Sequence, residues 1–113
     1  MDESTIISDS SFGKRLGKIT KHGAFMLSYS GKDMPIVGKI TIGRDAGNTI
    51  QINDNLASRY HALVQKIKNA YFIKDLDSTN GTFVNDKQIE PDKYVLLKKK
   101  DKVLIGRTQI IVQ

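Results

Sequence analysis

The chain has no cysteine among its 113 residues, which excludes a disulfide framework, a thiol nucleophile and a cysteine-ligated zinc site, and fits a reducing compartment. No apolar run approaches the ~20 residues that a membrane-spanning helix needs. The amino terminus, Met1-Asp2-Glu3-Ser4-Thr5, is acidic where a signal peptide is basic. A cytoplasmic protein with no membrane partner is expected. Histidine is scarce as well: His22 is isolated, and neither a metal cluster nor a cofactor-binding loop is present in the sequence, so no metal and no cofactor are expected. No long stretch carries the helical period, which argues against a helical bundle.

What the chain does have is positive charge. Eighteen basic residues against 12 acidic ones give +6, which biases the surface toward anionic partners without saying which anion. Lys98, Lys99, Lys100 and Lys102 form the densest cluster. They read as a solvated turn between two strands that also blunts a sheet edge. A basic nucleic-acid-binding domain is the alternative reading of the charge, but Phe12, Tyr29 and Tyr60 are scattered and form no series of stacking rings.

The length suits one compact domain. Residues 1–20 are rich in Ser, Thr, Asp, Gly and Lys with little periodic apolar signal, and read as a flexible tail or linker; residues 21–113 read as the folded domain. Within it, short β-branched and aromatic runs alternate with turn residues. Ala24-Phe25-Met26-Leu27 and Ile36-Val37 flank Ser30-Gly31-Lys32-Asp33, and His61-Ala62-Leu63-Val64-Gln65-Lys66-Ile67 meets Tyr71-Phe72-Ile73 about Lys68-Asn69. Thr82-Phe83-Val84 and Lys87-Gln88-Ile89 surround Asn85-Asp86, while the last two strands surround Gly106-Arg107. These are antiparallel hairpins. Many short strands imply a sandwich, whose loops cluster at the ends of its sheets.

Three polar segments then stand out: Gly43-Arg44, Ser58-Arg59-Tyr60-His61 and Asp77-Ser78-Thr79-Asn80-Gly81-Thr82. They supply a planar cation able to hold two phosphate oxygens at once, hydroxyl donors, and a side-chain amide that both donates and accepts. Taken singly, Arg44 is a solvated loop arginine, Ser58 a turn residue, Arg59 a surface cation and Asn80-Gly81 an ordinary turn. Arg107 reads as a turn residue. Ser58 and His61 lie close in sequence, but neither an orienting acid nor an oxyanion site is identifiable, so no catalytic residue and no enzyme activity are expected.

The order and spacing of Gly43-Arg44, Ser58 with His61, and Asn80-Gly81 resemble those of the forkhead-associated (FHA) domain family over residues 43–112. The resemblance implies an all-β, SMAD-like sandwich of two antiparallel sheets and about eleven short strands. It implies a phosphothreonine-dependent peptide-binding module in Ser/Thr kinase signalling, with Arg44, Ser58, Arg59 and Thr79 at the phosphate and Asn80 on the peptide main chain. By the same resemblance Gly43, His61 and Gly81 support the binding loops. The expected partner is a phosphothreonine-containing protein made by an upstream Ser/Thr kinase. Thr5, behind Asp2-Glu3, is a possible phosphoacceptor whose phosphate would let the domain bind its own chain.

Overall fold

A computed structural model of the chain describes residues 24–113. The expected tail over residues 1–20, the boundary at residue 21 and the possible phosphoacceptor Thr5 lie outside the described residues.

Alternation of apolar and polar side chains builds two sheets from eleven strands among the described residues, with no helix. They are β1 (Met26–Tyr29), β2 (Lys32–Pro35), β3 (Lys39–Gly43), β4 (Ile50–Gln51), β5 (Ala62–Ile67), β6 (Ala70–Asp75), β7 (Thr82–Val84), β8 (Lys87–Gln88), β9 (Val95–Leu96), β10 (Lys102–Ile105) and β11 (Thr108–Val112). One sheet has the order β2-β1-β11-β10-β7-β8 and the other β4-β3-β5-β6-β9. Between them Ile40 and Ile42 of β3, Val64 of β5, Ile73 of β6, Val103 and Ile105 of β10, and Ile110 and Val112 of β11 form the core. β6, β10 and β11 bury alternate side chains, so their register is fixed: a slip by one residue would turn the apolar set to solvent.

Pairing is antiparallel as expected, with one strand-to-strand exception. β4 lies parallel to β3, with Ile42 opposite Ile50, because residues 44–49 double back and return the chain along the same edge. The first hairpin is tighter than the sequence suggests. Ser30 and Gly31 alone make its turn, both at positive φ (52° and 76°), so Lys32 and Asp33 belong to β2. Ile36 and Val37 fall beyond that strand: Ile36 turns into the core at 4% exposure, and Val37, beside the left-handed Gly38, is 77% exposed. The lysines at 98–100 occupy a connection, but it crosses from β9 in one sheet to β10 in the other. Lys102 opens an interior strand and protects no sheet edge, whereas Lys98, Lys99 and Lys100 follow the edge strand β9.

Candidate functional site

The inward alternation of β6 continues past Tyr71 and Ile73 to Asp75, which places a carboxylate at the end of the core at 1% exposure. A buried charge without partners is costly. Here the loop after β6 folds over it: the Ser78 hydroxyl donates to Oδ1 at 2.5 Å, the Thr82 hydroxyl to the same oxygen at 2.6 Å, and the Ser78 N–H to Oδ2 at 3.0 Å. Burial pushes the Asp75 pKa up, but the donors from Ser78 and Thr82, with His61 nearby, outweigh it and hold the pKa below its ordinary value. Ser78 Oγ in turn accepts the Gly81 N–H at 3.0 Å. The 76–81 loop is thereby wound around one ionised carboxylate.

His61, fully buried, ties that loop to the one before β5. Its Nδ1 accepts the Ser58 N–H at 3.0 Å, so the ring proton sits on Nε2 and is donated to the Gly81 carbonyl at 2.8 Å. The ring holds the backbone of Ser58 and leaves its hydroxyl to other partners, an arrangement unlike that of a nucleophile and its base. Gly81 itself sits at φ 87°, and a Cβ there would meet the Gln88 amide at 2.6 Å.

The loop after β3 is fixed by close backbone approach. A Cβ on Gly43 would lie 2.1 Å from the Arg59 carbonyl oxygen, so no larger residue fits without moving one loop. Asn48 donates both amide protons, to the Asp45 carbonyl at 2.9 Å and the Arg59 carbonyl at 2.7 Å, leaving its Oδ1 unpartnered among the described residues. The Tyr60 hydroxyl closes the loop from outside, donating to Asp45 Oδ2 at 2.9 Å. The Gly47 N–H and then this hydroxyl lower the Asp45 pKa, and the same bond raises that of Tyr60.

Above this frame lies an open depression of about 400 Å³ lined by Arg44, Ser58, Arg59, Thr79 and Asn80, together with Asn55, Leu56 and Ala57. Arg44 donates Nε–H to the Ala57 carbonyl at 2.9 Å, which fixes the guanidinium plane and leaves its two terminal amino groups for a ligand. Ser58 Oγ accepts the Thr79 N–H at 3.0 Å, so the hydroxyl proton is directed elsewhere. Asn80 donates Nδ2–H to the Leu56 carbonyl at 2.9 Å and keeps its Oδ1 for a peptide N–H. Arg59 and Thr79 are exposed beside them. The structure brings together all five residues named as ligand contacts, and sets Gly43, His61 and Gly81 beneath them.

Sequence reasoning missed Asp75, Asn48, Asp54 and Tyr60. Asp54 accepts the Leu56 N–H at 2.9 Å within its own loop and the Arg107 N–H at 2.7 Å from the β10–β11 turn, joining the two sheets at the pocket end. Two of these had a local signal: an Asp three residues before a Ser, and an Asp two residues before the N–H it binds, are turn patterns. Asn48 and Tyr60 had none.

A family model of the FHA domain matches residues 40–106, and the chain belongs to that family. An FHA domain solved in a study of phosphothreonine-dependent FHA domain interactions superposes with a TM-score of 0.73 at 28% identity, covering 80% of this chain and 95% of that one. EmbR of Mycobacterium tuberculosis, solved with a low-affinity phosphopeptide, gives a TM-score of 0.73 at 29% identity over 80% of this chain and 24% of its own. In sequence, an ABC transporter ATP-binding/permease protein of Mycobacterium tuberculosis is 38% identical over 74 residues, which are 66% of this chain and 8% of the transporter. The oxoglutarate dehydrogenase inhibitor of Corynebacterium diphtheriae is 32% identical over 63% of this chain and 48% of its own length. The chain thus spans less than half of either relative. FHA domains are known as non-catalytic binding modules.

Proposed function

We propose that this chain binds phosphothreonine in a protein modified by a Ser/Thr kinase, without acting on it chemically. The observation that carries this reading is the convergence of Arg44, Ser58, Arg59, Thr79 and Asn80, from three loops, on one open pocket. Arg44 donates its two amino groups to phosphate oxygens, Ser58 and Thr79 donate hydroxyl protons, and Arg59 adds charge at the rim. Asn80 holds the peptide main chain beside the phosphoresidue and so fixes its register. Phosphothreonine carries one more methyl than phosphoserine, worth about 0.8 kcal/mol when buried, or about fourfold in affinity. A few charge-assisted bonds of about 1.5–3 kcal/mol each, less the cost of ordering a peptide, give an affinity on the order of micromolar.

Calorimetric titration with a phosphothreonine peptide and its phosphoserine and unphosphorylated counterparts tests this. Binding in that order of strength, with the last undetectable, is expected; equal affinity for all three would sink the proposal. The same site makes phosphorylated Thr5 a ligand in cis or in trans. Phosphorylating Thr5 should then shift the amide resonances of Arg44, Ser58 and Asn80 or produce a dimer, and an unchanged spectrum with no dimer would exclude self-binding.

A further inference from the structure

One short stretch of backbone orients two of the side chains assigned to the ligand. Arg44 donates its Nε–H to the Ala57 carbonyl and Asn80 its amide to the Leu56 carbonyl, each at 2.9 Å. These carbonyls belong to consecutive residues of the β4–β5 loop, whereas Arg44 follows β3 and Asn80 lies between β6 and β7. An exposed arginine or asparagine has several staggered rotamers within reach, and a fixed acceptor selects one of them. The position of the 56–57 backbone therefore decides where both groups point.

Asp54, 9% exposed, fixes that backbone. Its Oδ1 accepts the Leu56 N–H at 2.9 Å, and its main-chain carbonyl accepts the Ala57 N–H at 3.0 Å. The second carboxylate oxygen reaches the other sheet: Oδ2 accepts the Arg107 N–H at 2.7 Å and the Thr108 hydroxyl at 3.0 Å. Gly106 completes this seat, since it stands at φ 61° and a Cβ there would lie 2.8 Å from Oδ2. The bonds from Leu56 and Arg107 hold the Asp54 pKa below its ordinary value, so an anion gathers these donors at neutral pH.

A turn closed by its own aspartate needs only Oδ1. Use of Oδ2 by Arg107 and Thr108 ties the β4–β5 loop to the six-stranded sheet, while the strands that lead to Arg44 and Asn80 belong to the five-stranded one. We propose that Asp54 is a positioning residue of the pocket: through the Leu56 and Ala57 carbonyls it sets the direction of the Asn80 amide and the Arg44 guanidinium, with the β10–β11 turn as its anchor. Asp54 does not line the pocket, so its effect on binding runs through these two side chains. That effect on affinity rests on the phosphothreonine reading; the orientation of Arg44 and Asn80 in the free protein does not.

The test sets Asp54→Asn beside Ile110→Val, a change in the core of β11 that lowers stability without touching the loop. Asp54→Asn turns an NH2 group toward donors in place of one oxygen. In the free variant the Arg44 Nε–H and Asn80 side-chain amide resonances should both shift, and phosphothreonine-peptide affinity should fall about tenfold. Ile110→Val should lower the melting temperature and leave these resonances and the affinity as in wild type. Unmoved resonances or wild-type affinity in folded Asp54→Asn, or equal shifts in Ile110→Val, overturn the proposal. Should Asp54→Asn fail to fold, Thr108→Val removes one donor from the same oxygen and should move the same two resonances to a smaller extent; no movement overturns the proposal as well. Failure of the wild-type chain to bind the peptide would defeat the phosphothreonine reading instead, and the resonances of the free variants would still decide the role of Asp54.

Discussion

The rim of the pocket and the frame beneath it use the same kinds of residue for opposite purposes. In the frame His61, Asp75 and Thr82 are at most 1% exposed, and their side-chain bonds go to the protein itself. On the rim Arg44, Arg59, Thr79 and Asn80 are exposed, and where Arg44 and Asn80 bond to the protein they use one donor to fix their orientation and leave another group for a ligand. Holding and reading are therefore divided between adjacent residues. Ser58 joins the two: its backbone is held by His61 while its hydroxyl belongs to the pocket.

That division is broken most severely from below. Asp75→Ala strands three donors in the core, and loss of such a network costs roughly 3–5 kcal/mol, or more than about 10 °C in melting temperature. Thermal denaturation should show this drop, with peptide binding lost as the 76–81 loop unwinds. His61→Ala removes two buried bonds and leaves a cavity, for about 2–4 kcal/mol. It too should lower stability and binding together. A His61→Ala protein as stable as wild type would show that the ring is not part of the frame.

Arg44→Ala attacks the rim alone. Loss of the charge-assisted bonds should weaken phosphopeptide binding roughly 10- to 100-fold by calorimetry. The melting temperature should stay within about 2 °C of wild type, as is usual for an exposed side chain. Acid separates the two regions again. The phosphate loses its second charge below about pH 6, so binding should weaken there. The Asp75 pKa is lowered in the fold, so its contribution to stability is fully present above the ordinary value of 3.8 and is lost only as the pH falls through that value and below. Binding and the carboxylate part of stability should thus fail at different pH. Tyr60→Phe has the smallest expected effect, since it removes one exposed bond to Asp45; a change in peptide affinity of no more than about threefold is expected.

The rim residues stood out in the sequence as short polar segments between apolar strands, but singly Arg44, Ser58 and Asn80 read as ordinary loop residues, and their roles came from the resemblance of their order and spacing to the FHA family. The frame was harder. Asp75 continues the inward positions of β6 after Tyr71 and Ile73, yet a carboxylate at the end of an apolar alternation reads as the first residue of a loop. Only the later Ser78 and Thr82 make its burial possible, and that pairing is set by the path of the loop. The bond of Asn48 to the Arg59 carbonyl and that of Tyr60 to Asp45 join separate loops, so nothing local marks that part of their role. The parallel β3–β4 pair was hidden for a similar reason, since a two-residue strand carries too little pattern to show its direction.

The claim that phosphothreonine is read at this pocket is tested most directly by following backbone amide resonances as a phosphothreonine peptide is added. Shifts concentrated at Arg44, Ser58, Thr79 and Asn80, with residues 98–102 unmoved, are the predicted result. Shifts centred on residues 98–102, or none at the three loops despite measurable binding, would contradict it.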